Sequence, residues 1–454
     1  MTSDIRLICF YLPQFHPIPE NDKWWGKGFT EWTNVVQAKP HYPGHYQPHL
    51  PADLGFYDLR VPEVREEQAR LASKYGISGF CYHHYWFGGK RLLERPFNEV
   101  LASGKPKFPF CLSWANENWT RRWDGHDSHV LIQQQHSDED DINFIQSLLP
   151  AFRDDRYIRI NGRPLLIVYR TSILPNPDRT AMIWRDQVKQ AGLDDLYLCR
   201  AETFTTYENF VDPAEIGFDA ALEFPPHATL SVNIAPTLIP ADSGFAGQIS
   251  DYRQVLYHAL IRKTPTYRLF RGVMPAWDNT ARRHNAATIF MNSSPKEYQR
   301  WLTEAIHLTR LQHIGDERLI FINGWNEWAE GCHLEPDFID GHGYLQATQA
   351  ALRNAKQSEQ LIQECAMQLE GSGNILASDI DSALNIFVEN LRKRLDQDFP
   401  AEFNLLAELN GSFLRQFVIQ HLNSDRSRFR FFRRLIYRTL RFIYRLGRVV
   451  GLVR

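Results

Sequence analysis

The run Arg318-Leu-Ile-Phe-Ile-Asn-Gly-Trp-Asn-Glu-Trp-Ala-Glu330, continued by Gly331-Cys-His-Leu-Glu335, decides how this chain is read. Its first part, Arg318–Gly324, is apolar enough for a strand covered on both faces. Directly behind it crowd Trp325, Asn326, Glu327, Trp328, Glu330, His333 and Glu335. A buried strand that empties into carboxylates and tryptophans is the pattern of a parallel α/β barrel, whose chemistry collects at the C-terminal strand ends. Seven similar runs precede it: Ile5–Tyr11, Ile77–His83, Phe108–Trp114, Pro164–Tyr169, Leu196–Ala201, Ala220–Phe224 and Gly272–Trp277. Helix-like stretches lie between most of them, among them Val61–Tyr75, Asp140–Phe152, Asp178–Ala191, Tyr252–Ile261 and Pro295–Leu311. Eight alternating units in about 345 residues predict an α/β fold, a (β/α)8 TIM-type barrel over residues 1–350. A doubly wound sheet would advertise a Gly-rich first turn, whereas Leu12-Pro-Gln-Phe-His-Pro17 follows strand one.

The other strand ends supply the candidate site. Strand one runs into His16, and strand two into His83, His84, Tyr85 and Trp86. Strand three gives Trp114, Asn116, Glu117 and Trp119; strands five and six give Glu202 and Glu223; strand seven gives Trp277 and Asp278. Trp32 and Glu31 come from a tryptophan-rich loop after strand one. Glycosidic-bond chemistry needs one carboxyl to donate a proton, a second to act as base or nucleophile, and aromatic faces to hold sugar rings. Glu327 and Glu330 are the catalytic candidates. His16, Trp32, His83, Tyr85, Trp86, Trp114, Asn116, Glu117, Trp119, Glu202, Glu223, Trp277, Asp278, Trp325, Asn326 and Glu335 are the substrate-binding candidates. The bland alternative is a polar loop stiffened by its tryptophans. His83 and His84 are neighbours on a strand and face opposite ways, so they do not make a metal pair, and no metal or other cofactor is expected. Asp138-Glu-Asp140 and Asp379-Ile-Asp381 match the nucleotide-sugar Asp-x-Asp pattern only formally, and there is no phosphate-binding loop.

Composition is that of a globular protein, 43% apolar and 23% charged, with six scattered cysteines and no C-x-x-C pair. Ile5–Leu12 reads as a strand rather than a secretory leader, and no run is long enough to span a bilayer, which points to the cytoplasm. The net charge of −2 hides an asymmetry: residues 425–454 hold ten arginines and one aspartate, about +9, against about −11 elsewhere. Phe429, Phe432, Ile436, Leu440 and Ile443 share one side of a helix there, with arginines opposite. This basic amphipathic helix is expected to lie on an anionic membrane surface or dock a protein partner; specific nucleic-acid binding is not expected, because nucleic acid does not reward the apolar face. Residues 351–424 read as a helical extension and linker.

Five ordered motifs carry a resemblance: Tyr11-Leu-Pro-Gln-Phe-His16, Gly28-Phe-Thr-Glu-Trp-Thr-Asn-Val35, Tyr82-His-His-Tyr-Trp86, Trp114-Ala-Asn-Glu-Asn-Trp119 and Trp325-Asn-Glu-Trp-Ala-Glu-Gly331. Together they resemble the WbsX family, also described as glycoside hydrolase family 99-like, over roughly residues 5–350. The resemblance implies a (β/α)8 barrel acting on glycans of bacterial surface polysaccharide, O-antigen or capsule type, during biosynthesis. It implies a glycan or lipid-linked oligosaccharide substrate at the inner membrane face, in the company of polysaccharide-assembly proteins. On the family 99 pattern, Glu327 takes the proton of the substrate 2-hydroxyl and Glu330 protonates the leaving oxygen, with no metal. Hydrolase, glycosyltransferase and non-catalytic glycan-binding scaffold are all compatible with the residues.

Overall fold

The computed structural model describes residues 5–355 apart from 122–125, 204–210, 230 and 241, and beyond 355 only 392, 393, 397 and 398. The helical extension and the arginine-rich helix expected near the C-terminus therefore lie almost wholly outside the described residues.

Eight parallel strands close into a barrel: β1 (Arg6–Tyr11), β2 (Gly79–Phe87), β3 (Phe110–Trp114), β4 (Arg163–Val168), β5 (Tyr197–Glu202), β6 (Ala220–Glu223), β7 (Leu269–Val273) and β8 (Leu319–Ile322). Each pairs in parallel with the next, and β1 pairs with both β2 and β8, so no edge is left open. The apolar runs named from the sequence are these strands, with one shift. The seventh was expected over residues 272–277 and lies at Leu269–Val273. Pro275 lacks an N–H for the ladder, so the chain leaves the sheet there. Gly272 is held where a Cβ would come within 2.0 Å of the Glu223 carbonyl oxygen, so β6 and β7 can approach this closely only around a glycine.

Helices cover the outside: α2 (Pro62–Lys74), α3 (Arg95–Ser103), α4 (Asp138–Phe152), α5 (Pro177–Gln190), α6 (Tyr252–Ile261) and α8 (Pro295–Gln312). Two short helices, α1 (Glu31–Gln37) and α7 (Thr280–Arg283), belong instead to the loops over the C-terminal mouth. Several starts are written in the sequence: Pro62 in the first turn of α2, Ser137 capping Asp140 N–H at 3.0 Å, and Ser294 capping Glu297 N–H at 3.3 Å. Among the described residues no helix is long and apolar enough to cross a membrane.

Strand alternation sorts side chains into the barrel interior and the layer under the helices. The Phe10 ring stands 4.6 Å from Phe224 and 5.6 Å from His83. β1 and β6 are not neighbours, so this contact crosses the interior. Phe10, His83, Tyr85 and Phe224 therefore point inward, while Tyr11, His84, Trp86, Trp114, Glu202 and Glu223 point out toward the helices.

Candidate active site

The centre of the mouth is one guanidinium holding three carboxylates. Arg282, on α7, has Nη2 at 3.0 Å from Glu31 Oε2 and 2.9 Å from Glu327 Oε2, and Nη1 at 2.7 Å from Glu330 Oε1. Its Nε also donates to Glu31 Oε2, at 3.0 Å. The side chains of Glu31 and Glu327 are 0% and 7% exposed, while Glu330 keeps 21% open to the mouth. Burial pushes the Glu31 and Glu327 carboxyls above their ordinary range against the pull of Arg282. Burial works against the charge on Arg282, yet the three carboxylates hold its pKa well above the ordinary arginine value. Fully ionised, the four groups would carry a net charge of −2 in a desolvated site, which favours keeping one proton among the carboxylates.

Short elements fix this geometry. Asn326–Glu327 pairs antiparallel with Cys332–His333, and the turn Trp328–Glu330 ends at Gly331 with φ 56°. A Cβ on Gly331 would meet Asp278 Cβ at 3.0 Å, so a glycine is required both for the turn and for the approach. Asp278 N–H donates to the Glu330 carbonyl at 2.7 Å. The Asp278 carboxylate bonds His45 Nε2 at 2.6 Å, Gln47 Nε2 at 2.7 Å and the Thr280 hydroxyl at 2.5 Å. Burial acts to raise that carboxyl, but His45 and Thr280 hold it below its ordinary value.

The predicted residues divide into four groups by place. Glu327, Glu330, His83 and Tyr85 share the mouth, with Trp119 packed on Tyr85 at 5.0 Å between ring centres. His83 Nε2 lies 3.7 Å from Glu327 Oε1, and burial together with Arg282 lowers the imidazole pKa to about 4, so it is neutral. A second group supports the carboxylate loop from below. Asn326 Nδ2 donates to the Leu12 carbonyl and its Oδ1 accepts from Leu12 N–H, at 3.0 and 2.8 Å. Glu335 accepts from Tyr57 Oη, Trp328 Nε1 and Gln68 Nε2 at 2.6 to 2.7 Å. Trp325 is fully buried, Trp32 donates to the Tyr57 carbonyl, and Asp278 acts as described. His16 and Trp277 are also buried. The third group is at the rim: Asn116 clamps the Arg170 backbone at 2.8 and 2.9 Å, and Glu117 pairs with Arg170 Nη1 at 2.9 Å.

The fourth group is not brought to the mouth. Trp86 donates to Asp140 of α4, and Trp114 packs on Phe144 and Trp184. Glu202 and Glu223 lie opposite each other on the outer face of β5 and β6. They share Arg262 at 2.6 and 3.3 Å, and Glu223 also takes Arg271 at 3.1 Å. Trp114→Ala should cost about 3–5 kcal/mol of stability through the cavity it leaves, whereas Trp114→Phe should leave glycan affinity unchanged. Chemical denaturation and a binding isotherm check both; weakened binding by the Phe variant would return Trp114 to the site.

Arg282, His45 and Gln47 were not among the sequence candidates. The one signal for Arg282 was arithmetic: three acids gathered in a desolvated mouth demand a cation, and Arg282 follows strand seven closely.

A family model described as Glycosyltransferase WbsX matches residues 7–348. The chain belongs to the WbsX family. The uncharacterized protein WxcX of Xanthomonas campestris pv. campestris, in strain B100 and in strain ATCC 33913, is 46% identical over 354 residues. That match covers 78% of this WbsX chain and 50% of WxcX, so the chain spans about half the length of the curated relatives it matches. In fold, this WbsX barrel is similar to the GH99 endo-alpha-mannosidase of Bacteroides thetaiotaomicron, with TM-score 0.50 and 15% identity over 79% of this chain and 100% of that one. A protein described as glycoside hydrolase-like matches with TM-score 0.50 and 14% identity, over 77% of this chain and 94% of its own.

Proposed function

We propose that this WbsX protein acts on glycosidic bonds of a bacterial surface polysaccharide during its biosynthesis, with Glu327 and Glu330 as the working carboxylates. The observation that carries this reading is the triple carboxylate cluster on Arg282 at the C-terminal mouth. An ionic cluster of net negative charge costs stability in a desolvated site, and such sites are kept where chemistry uses them. Glu330 is the more open of the pair and suits proton exchange with the leaving oxygen. Glu327 is deeper, and burial raises its pKa toward the range in which a general base works. This base takes the 2-hydroxyl proton on the family 99 pattern. The proton that Glu330 gives to the leaving oxygen is regained from water or from an acceptor hydroxyl.

That last step separates hydrolysis from transfer. The carboxylate pair favours hydrolysis, since it needs no nucleotide donor; the description of the family favours transfer. The deciding experiment incubates the full chain with lipid-linked glycan from the host cell, with and without nucleotide sugars, and reads products by mass spectrometry. Shortened glycans mark hydrolysis, glycans lengthened only with a nucleotide sugar mark transfer, and no product in either condition sinks the enzymatic reading.

Residues 425–454 lie outside the described residues, and their charge of about +9 supports attachment to an anionic membrane face, where lipid-linked glycans are made. Deleting them should release the protein from phosphatidylserine or cardiolipin vesicles in a sedimentation assay. Unchanged sedimentation would remove the membrane from the proposal.

A further inference from the structure

Beside the carboxylate loop lies a group of side chains that this chemistry does not use. His49, His333 and Asp337 are all buried, and their ligand-type atoms lie within 4.8 Å of one another. His49 Nδ1 is 3.0 Å from His333 Nε2, and His333 Nε2 is 3.9 Å from Asp337 Oδ2.

The far edges of His333 and Asp337 are already occupied. His333 Nδ1 is 3.0 Å from the Glu335 carbonyl oxygen, which only accepts. The proton therefore sits on Nδ1, and Nε2 turns a lone pair toward the cluster. A ring nitrogen tied to a backbone carbonyl in this way is the usual support of a metal-bound histidine. The Trp328 ring stacks on His333 at 3.8 Å and 15°, which holds its plane. Asp337 Oδ1 accepts from the N–H groups of Ile339 and Asp340, at 3.0 and 2.6 Å, and leaves Oδ2 facing the histidines.

We propose that His49, His333 and Asp337 bind one divalent transition-metal ion of the zinc type, with a fourth position for water. Two imidazoles and a carboxylate are a donor set that such ions take. Two nitrogens on a tetrahedral ion at ordinary bond lengths stand about 3.3 Å apart, so the two histidines at 3.0 Å need only a few tenths of an ångström of adjustment, while Asp337 Oδ2, now 3.9 Å from His333 Nε2, must close in by roughly half an ångström or more. Without an ion, the contact is a hydrogen bond from His49 to His333, and Asp337 Oδ2 at 3.9 Å is too far to share it.

The position in the fold says what the ion does. His49 follows His45 and Gln47, which hold Asp278, and Asp278 in turn holds the Glu330 backbone. Pro51 bridges to Asp337. The ion pins the loop carrying residues 45–51 to the loop carrying both carboxylates. Its role is structural, and its existence does not depend on which glycan is processed.

The test uses the full chain stripped with a chelator, then titrated with zinc chloride by calorimetry and with cobalt chloride by visible absorption. Wild type should bind about one equivalent, give the intense bands of tetrahedral cobalt, and gain melting temperature with zinc. His49→Ala should lose the equivalent, and Asp337→Asn should bind roughly tenfold or more weakly. Asp337→Asn keeps its Oδ1 acceptor, so its melt in chelator should match wild type and separate ligand loss from misfolding. With 17 histidines in the chain, weak binding elsewhere is expected, and the variants exclude it. No stoichiometric ion on wild type, or undiminished affinity in both variants, would overturn the proposal.

Discussion

Glu330→Gln should lower turnover by about 10²–10⁴-fold, the range that a positioned proton donor contributes, while the protein melts at or above the wild-type temperature. The substitution is close to isosteric, and its amide oxygen still accepts from Arg282 Nη1, which stands 2.7 Å from Glu330 Oε1. It also removes one negative charge from a desolvated group that carries an excess of them. Loss of activity without loss of stability would then belong to the chemistry. The leaving group sharpens the test. A glycan bond needs its oxygen protonated as it breaks, whereas a nitrophenyl glycoside leaves without help. Glu330→Gln should recover most of its rate on the activated substrate. Glu327→Gln should not, because the group it disables acts on the sugar rather than on the leaving oxygen. Equal losses on both substrates for both variants would remove the division of roles, and a fully active Glu330→Gln would remove the pair.

The barrel was legible because parallel strands covered on both faces read as unbroken apolar runs, and because polar clusters followed those runs rather than preceding them. What the runs cannot state is which face each flanking residue takes. A shift of one residue turns a side chain from the mouth to the helix layer. Trp86, Trp114, Glu202 and Glu223 look like site residues by position in the chain, yet they point outward to α4, α5 and the arginines behind β6 and β7. Glu327 and Glu330 escaped that ambiguity because they leave the sheet altogether on a hairpin whose turn is set by Gly331. The residues hardest to see are those joined only by closure of the barrel. Arg282 is 45 positions from Glu327 and 251 from Glu31, and His49 is 284 from His333. No periodicity links such positions, and only the requirement that buried charge be compensated hints at the first of them.

That requirement makes Arg282→Met the most damaging single change expected in the mouth. It removes the shared partner of Glu31, Glu327 and Glu330 and leaves their charges in a site where two of the three side chains are almost sealed from water. Breaking a buried pair by deleting one partner costs about 3–5 kcal/mol, and turnover should fall with it because both working carboxylates lose their orientation. The dependence on pH tells this apart from an ordinary packing defect. In wild type, burial already raises the Glu31 and Glu327 pKa values above those of the unfolded chain, with Arg282 pulling them back. Without Arg282 the folded values rise further. Between the unfolded carboxylate pKa, about 4.3, and the raised folded values, the folded state then binds more protons than the unfolded one. Stability therefore falls as pH rises through that window. The variant should lie closest to wild type near pH 4, where the raised Glu31 and Glu327 carboxyls hold their protons, and diverge to its full deficit by about pH 8. Arg282→Lys keeps the charge but not the fork that reaches three carboxylates at once, so its deficit should be intermediate. Urea melts at several pH values give the comparison directly. A deficit that is the same at pH 4 and pH 8 would mean that Arg282 matters for its packing and that the carboxylates do not depend on it.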